Sequence, residues 1–487
     1  MTMKEIGTAP GKWRGLMIAV IALISTFLCA GAHSAGVSAH KPNIIFILAD
    51  DLGYGDLGCY GQTKIKTPNI DKLASEGIRF TDCYAGSTVC APSRCALMTG
   101  LHTGHNRIRG NGAGLALGPE DVTVAEVLKR AGYHTALVGK WGLGDEGSTG
   151  LPPKKGFDEF VGYLNQTHAH DYYTDHLFHY DLMNLELNGR QELAENWGGK
   201  KVLYIPDLFT QAATNIIRIN KPEQLNNYRP FFLYLAYITP HANDEEGQRT
   251  GNGMQVPSDA PYGNESWPQV EKNKAAMITR MDRDIGKLMD LLRAYKIDEN
   301  TVVFFASDNG AHKEGGADPK FLQSSGKLRG IKRDLYEGGI RVPMIVRWPG
   351  KIKPGQVNER IWAFWDFLPT AAEIAGVKAP DKIDGISMLP TFLGQQQTNQ
   401  HDFLYWEFHE RGFQQAARMG DWKAVRPQAD EKLELYNLKT DISEKENVAE
   451  KNPEIVAKMD AYLKTARTES EQFPIRKEAK KKARKKE

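Results

Sequence analysis

Cysteine is scarce, with five in 487 residues. So few thiols in so long a chain exclude a disulfide framework as the source of the fold. Net charge is nearly absent as well, at +2 from 62 basic and 60 acidic side chains. That removes any global electrostatic case for nucleic acid. No apolar run is long enough to span a bilayer: Leu16–Ala30 is 15 residues, against the roughly 20 that a membrane helix needs. That run follows Lys4, Lys12 and Arg14. Small-residue sites follow it at Ala30-Gly31-Ala32 and Val37-Ser38-Ala39, the layout of a cleavable export signal. Residues 1–39 are therefore expected to be removed, leaving an exported, periplasmic or secreted protein with no integral membrane segment. There is no internal repeat. The basic end, residues 476–487, reads as a disordered solvated tail rather than a binding site.

What is present is alternation. The chain is long enough for one large core and a smaller second unit. Asn43 to Ala49 is a continuous apolar run, as in a strand covered on both faces. Strands are also expected at Tyr133–Val138, Phe231–Ile238, Thr301–Ala306 and Arg341–Trp348. Helices are expected at Ile70–Gly77, Val122–Ala131 and Asp366–Ala375, and at Asn273–Tyr295, where Met277, Met281, Leu288 and Leu292 repeat at helical spacing. This is the order of an α/β protein with a mostly parallel sheet. Gln395 to His401 reads as a Gln/Asn-rich linker, separating a catalytic domain (40–394) from a small C-terminal α+β subdomain (402–475). The latter holds strand-like pieces at Phe403–Trp406, Gln414–Met419 and Trp422–Val425 and a helix at Pro453–Ala466.

Unusual polar residues fall where these strands end. Asp50-Asp51, Lys140, His241 and Asp308-Asn309 each follow a predicted strand. In parallel α/β sheets ligands bind at that edge. Two aspartates plus Asp-Asn supply hard oxygen ligands for Ca²⁺ or Mg²⁺ rather than a zinc site. Taken alone, Asp-Asp after a strand is also a common cap or turn sequence.

One motif carries more. Cys90-Ala91-Pro92-Ser93-Arg94 runs on to Leu97-Met98-Thr99-Gly100, the pattern C-x-P-S-R-x-x-L-x-T-G. The plain reading is a buried or disulfide cysteine and a surface arginine. The pattern closely resembles the signature of the type I sulfatases. Other segments share that look: Ala49 to Asp56, Thr67 to Asp71, Gly139-Lys140-Trp141, Ser307 to Gly310 and Tyr336 to Pro343. The likeness runs from about Lys41 to about Phe473. It implies an alkaline-phosphatase-like fold, a mixed, mostly parallel sheet sandwiched by helices. It also implies that a formylglycine-generating enzyme oxidises Cys90 to formylglycine. One hydroxyl of the hydrated aldehyde attacks sulfur, and the other lets the aldehyde re-form as sulfate leaves. If a helix starts near Cys90, Arg94 shares its face at i+4. The resemblance places Asp50, Asp51, Asp308 and Asn309, with residue 90, on one calcium ion. It assigns sulfate or leaving-oxygen contacts to Lys140, His241 and Lys332. His241, if protonated, could give its proton to the leaving alkoxide.

One departure stands out. The family often reads Gly-Lys-Trp-His-Leu-Gly, and this chain has Gly139-Lys140-Trp141-Gly142-Leu143-Gly144. His168, His170 and His312 are the candidates to supply the missing imidazole and meet the substrate, or they are ordinary loop histidines. The expected function is hydrolysis of sulfate esters, of a sulfated saccharide or an aryl sulfate. A phosphonate or phosphodiester hydrolase of the same fold is the alternative.

Overall fold

The ten-residue helix that begins at Cys90 and the sheet edge it faces organise the molecule. The computed structural model describes residues 40–182, 184–221 and 229–475. The expected signal segment 1–39 and basic tail 476–487 lie outside the described residues.

In chain order the strands are β1 (Asn43–Ala49), β2 (Ile78–Phe80), β3 (Cys83–Tyr84), β4 (His134–Lys140), β5 (Glu159–Tyr163), β6 (His176–Asp181), β7 (Gly189–Glu192) and β8 (Phe231–Ala236). They continue with β9 (Thr301–Ser307), β10 (Met344–Arg347), β11 (Gln356–Asn358), β12 (Trp362–Ala363), β13 (Leu404–Phe408), β14 (Gln414–Met419), β15 (Trp422–Arg426) and β16 (Glu434–Asn437). Ten of them form one sheet in the order β11-β2-β10-β9-β1-β8-β4-β5-β6-β7. Its middle block, β9-β1-β8-β4-β5, is parallel throughout. Antiparallel pairs extend it on both sides.

The parallel block is buried on both faces, which is why its strands read as unbroken apolar runs. Successive side chains of β1 go to opposite faces. Ile44, Phe46 and Leu48 join a core covered by the helices Cys90–Thr99, Val124–Arg130 and Phe367–Ile374. Ile45, Ile47 and Ala49 join a second core under Pro68–Ser75, Ile205–Ile219 and Gln269–Ala294. The expected α/β sandwich is thus present, with its helices within a few residues of their expected bounds.

The C-terminal part is an antiparallel sheet, β13-β14-β15-β16, with the helix Pro453–Thr465 on one face. Leu404, Trp406 and Phe408 of β13 pack the other face against Tyr84, Ala96 and Trp365 of the main body. The stretch from Glu159 to Glu192, where the sequence suggested no strand, supplies β5, β6 and β7. The sequences HLFHYD and GRQE carry no apolar alternation because they form the sheet's solvated margin. Cys59, Cys83, Cys90 and Cys95 are all free thiols. Among the described residues no helix is long and apolar enough to cross a membrane.

Candidate functional site

Four adjacent strands, β9, β1, β8 and β4, deliver their ends to one place. β1 stops at Ala49, just before Asp50-Asp51, and β9 stops at Ser307, just before Asp308-Asn309. β4 ends on Lys140 itself, and the chain leaving β8 reaches His241 five residues later. Backbone bonds tie these ends together: Asp50 N donates to Thr239 O and Asp308 N to Ala49 O, both at 3.0 Å. Asp51 N donates to Asp308 Oδ1 at 3.1 Å. Asp51 has φ 65°, a left-handed conformation that aspartate tolerates better than most residues. Its carboxylate meets a different set of partners from that of Asp50.

Cys90 opens its helix, and Val89 before it supplies no side-chain cap. Asn111 Oδ1 takes the Ala91 N–H at 3.0 Å instead. The Cys90 thiol donates to Asp50 Oδ1 at 3.2 Å. Burial and the Asp50 charge push that thiol well above its usual range, so thiolate is disfavoured here. Arg94, one turn on and fully buried, places Nε and Nη2 on Asp308 Oδ2 (3.1 and 2.8 Å) and Nη1 on Lys140 O (2.9 Å). Burial opposes its charge, and Asp308 more than compensates.

Lys140 Nζ donates to Asp50 Oδ2 at 2.6 Å. Lys332 Nζ donates to Asp51 Oδ2 (2.8 Å), Glu314 Oε2 (2.8 Å) and His241 Nε2 (3.0 Å). The His241 tautomer follows from its neighbours. Nδ1 lies 2.6 Å from Ala242 O, which only accepts, so Nδ1 carries the proton and Nε2 receives the Lys332 N–H. Burial first, then Lys332, hold this imidazole well below its ordinary value. In this state His241 is therefore neutral, and the transferable proton sits on Lys332.

The oxygen ligands fit a hard divalent cation. Asp50, Asp51, Asp308 and Asn309 are fully buried. Asn309 Nδ2 donates to Asp51 Oδ1 (2.7 Å) and Gly310 O (3.0 Å), while Asn309 Oδ1 is buried with no hydrogen-bond partner. An orphaned buried acceptor among carboxylates is what a cation would satisfy. Burial first, then the Asp50 charge, raise Asp308 to about 7. Ligand atoms of Asp50, Asp51, Cys90 and His241 lie within 4.8 Å of one another.

A cavity of about 540 Å³ opens onto this group, reaching Cys90, His241 and Lys332. Of the three candidate histidines, only His170 lines it. Its ring stacks on His241 with centroids 4.7 Å apart. His168 lies against Thr174 Oγ1 and borders a neighbouring cavity. His312 is buried, with Nε2 on Pro240 O and Nδ1 accepting from Glu314 N. The space beside Gly142 belongs to Gln166, because a Cβ on Gly142 would overlap Gln166 Nε2.

Sequence reasoning missed Glu314, Arg333 and Glu410. Arg333 binds Glu314 through Nη1 and Glu410 Oε2 through Nε at 3.0 Å. Glu410 Oε1 in turn accepts from Asn111 N at 3.3 Å. A chain of contacts thus runs from Lys332 to the residue beside Cys90 through the C-terminal sheet. No local signal marks these residues, since each lies in a connecting segment.

Such a site, at the strand edge of an alkaline-phosphatase-like α/β sandwich, defines an oxyanion-ester hydrolase. The sulfatase profile matches residues 42–377, and the profile of the N-sulphoglucosamine sulphohydrolase C-terminal region matches 331–469. The chain belongs to the sulfatase family and is a sulfuric ester hydrolase. It is 31% identical to N-acetylgalactosamine-6-O-sulfatase of Bacteroides thetaiotaomicron, across 89% of this chain and 94% of that protein. It is 33% identical to human arylsulfatase A, across 81% and 76% respectively. The crystal structure of Ps i-CgsB in complex with k-i-k-neocarrahexaose superposes with a TM-score of 0.71 at 31% identity, covering 88% of this chain and 93% of that one.

Proposed function

We propose that this protein is an exported sulfatase that removes sulfate from a saccharide, using formylglycine made from Cys90 and a bound Ca²⁺. The observation that carries this reading is the convergence of Cys90 and Lys332, which line the cavity, with the buried Arg94, three cation-paired aspartates and Asn309 directly behind them. The N-acetylgalactosamine-6-O-sulfatase relative and the structure in complex with k-i-k-neocarrahexaose support a saccharide substrate. The catalytic domain would span residues 40–394 and the small subdomain 402–475.

A thiol at position 90 suits neither attack nor redox work, because burial and Asp50 keep it protonated. Formylglycine there supplies paired hydroxyls, one to attack sulfur and one to release sulfate by re-forming the carbonyl. Asp50, Asp51, Asp308 and Asn309 would hold the cation, which stabilises charge developing on the sulfate oxygens. Arg94 fixes Asp308 and the Lys140 backbone in place. Lys140 and Lys332 offer N–H donors to sulfate oxygens, so both would exchange a carboxylate partner for the substrate. Lys332 also holds the proton that the leaving oxygen needs, with His241 Nε2 beside it to relay that proton. His170, stacked on His241, would meet the leaving group.

Mass spectrometry of the Cys90 peptide tests the reading. Conversion should lower its mass by about 18 Da. Cys90→Ser should fold normally and lose turnover on nitrophenyl sulfate and on saccharide sulfates, because one hydroxyl cannot re-form an aldehyde. An unconverted peptide from fully active enzyme would overturn the mechanism, and a preference for aryl phosphate over aryl sulfate would overturn the reaction.

A further inference from the structure

The cavity floor is formed by Cys90, His241 and Lys332, and its outer wall is acidic. Three carboxylates reach that wall from separate parts of the chain: Asp145 after β4, Asp244 in the first turn of the helix Asp244–Thr250, and Glu410 between β13 and β14. The lining has two basic side chains, and both are already engaged. Lys332 holds Asp51, Glu314 and His241. Arg333 is shared between Glu314 and Glu410.

Asp145 and Asp244 are different. Neither carboxylate makes a hydrogen bond within the described residues, and the nearest basic atom to Asp244 is His170 Nδ1 at 3.8 Å. Burial first, then Glu314, raise Asp244 to about 6. An ionised carboxylate only accepts hydrogen bonds. It therefore pairs with sugar hydroxyls and amide N–H groups, which donate. A second sulfate or a uronate carboxylate is also acceptor-only, so at this wall it meets repulsion with no compensating bond. Selection against the wrong ligand by unpaired like charge is a recurrent route to specificity.

We infer that Asp145 and Asp244 make this enzyme selective for a neutral sugar monosulfate, a hexose or N-acetylhexosamine with no second anionic group on the sulfated residue. This rests on the saccharide sulfatase reading above and narrows it. The acidic wall is not an isolated cluster, because the cavity it borders contains Cys90, His241 and Lys332.

The test measures kcat/KM for the positional monosulfates of galactose and N-acetylglucosamine against the same sugars bearing a second sulfate. Equilibrium binding of both sets to Cys90→Ser, which cannot turn over, is measured alongside. Wild-type enzyme should favour the monosulfate by at least about tenfold in both readouts. Asp145→Asn/Asp244→Asn keeps the side-chain shapes and should bring that ratio toward unity. Asp145→Asn alone should shift it the same way, and it removes no hydrogen bond that the fold uses. Equal or better handling of the disulfate by wild type, or a ratio unchanged in both variants, overturns the inference. Failure of wild type on every sulfate ester, nitrophenyl sulfate included, overturns the reading beneath it and this inference with it.

Discussion

Gly142 shows how a single residue can be read from sequence and still be misplaced. The missing imidazole in Gly139–Gly144 was visible, and its space was expected to be filled by His168, His170 or His312. Gln166 occupies it instead, and Gly142 itself has φ 75°, a conformation that side chains rarely adopt. Restoring histidine therefore faces both a clash and backbone strain. Gly142→His should lower stability by about 1–3 kcal/mol. Gly142→His/Gln166→Gly should recover only the clash portion, because the φ strain remains. Thermal unfolding of the single and double variants checks this, and a wild-type midpoint for Gly142→His would contradict it. A single residue separates His168 from His170, and periodicity could not tell which ring meets the cavity. A short helical turn decides that, bringing His170 onto His241.

At the scale of elements, the strands of the parallel block were legible because burial on two faces demands unbroken apolar runs. The helix Val124–Arg130 was expected from its glycine stop at Gly132, and the structure adds how it starts. Thr123 caps it by accepting from Glu126 N at 3.2 Å, and Glu126 Oε2 accepts from Thr123 N at 2.8 Å. This reciprocal box satisfies two amide donors that would otherwise lack partners. Thr123 also donates to Lys155 O at 2.7 Å. Thr123→Ala should cost about 1–2 kcal/mol, read as a lower midpoint in urea. Turnover should stay unchanged, since this helix contributes nothing to the cavity lining. The margin strands β6 and β7 were not legible. A polar strand at a solvated edge has the composition of a loop, and only its partner β5 identifies it.

At the scale of the whole molecule, Glu407 pins the C-terminal sheet to the main body. It is buried, and it accepts from Arg109 Nη1 and Arg467 Nε, both at 3.0 Å, and from Tyr405 Oη at 2.8 Å. Burial opposes its charge, but the His409 bond, Arg109 and Arg467 prevail and hold it at about 2. A carboxyl with a depressed folded pKa contributes stability that is fully present above its unfolded value of about 4.5. That contribution is lost as pH falls toward about 2. Glu407→Gln should lower stability near neutral pH by about 3 kcal/mol, because two buried arginines lose their counter-charge. It should also flatten the acid limb between about pH 4.5 and 2, seen as a shallower fall of the thermal midpoint. An acid limb as steep as wild type would mean that other carboxyls carry it.

The sequence by itself determined the α/β order, the acidic dyads after β1 and β9, Lys140 at the end of β4 and the motif at Cys90. Each of these lies beside a strongly patterned element, so local periodicity places it. Lys332 was marked only through the family pattern, since lysine in a connecting segment carries no positional signal. Tertiary structure alone decided the rest: that Gln166 fills the space at Gly142, that Lys332 shares its charge among Asp51, Glu314 and His241, and that Arg333 and Glu410 close the rim. These side chains come from different connecting segments, Lys332 and Asp51 being 281 residues apart. Their partners are fixed by how the sheet edge and the C-terminal subdomain pack together, and short-range sequence patterns do not encode that packing.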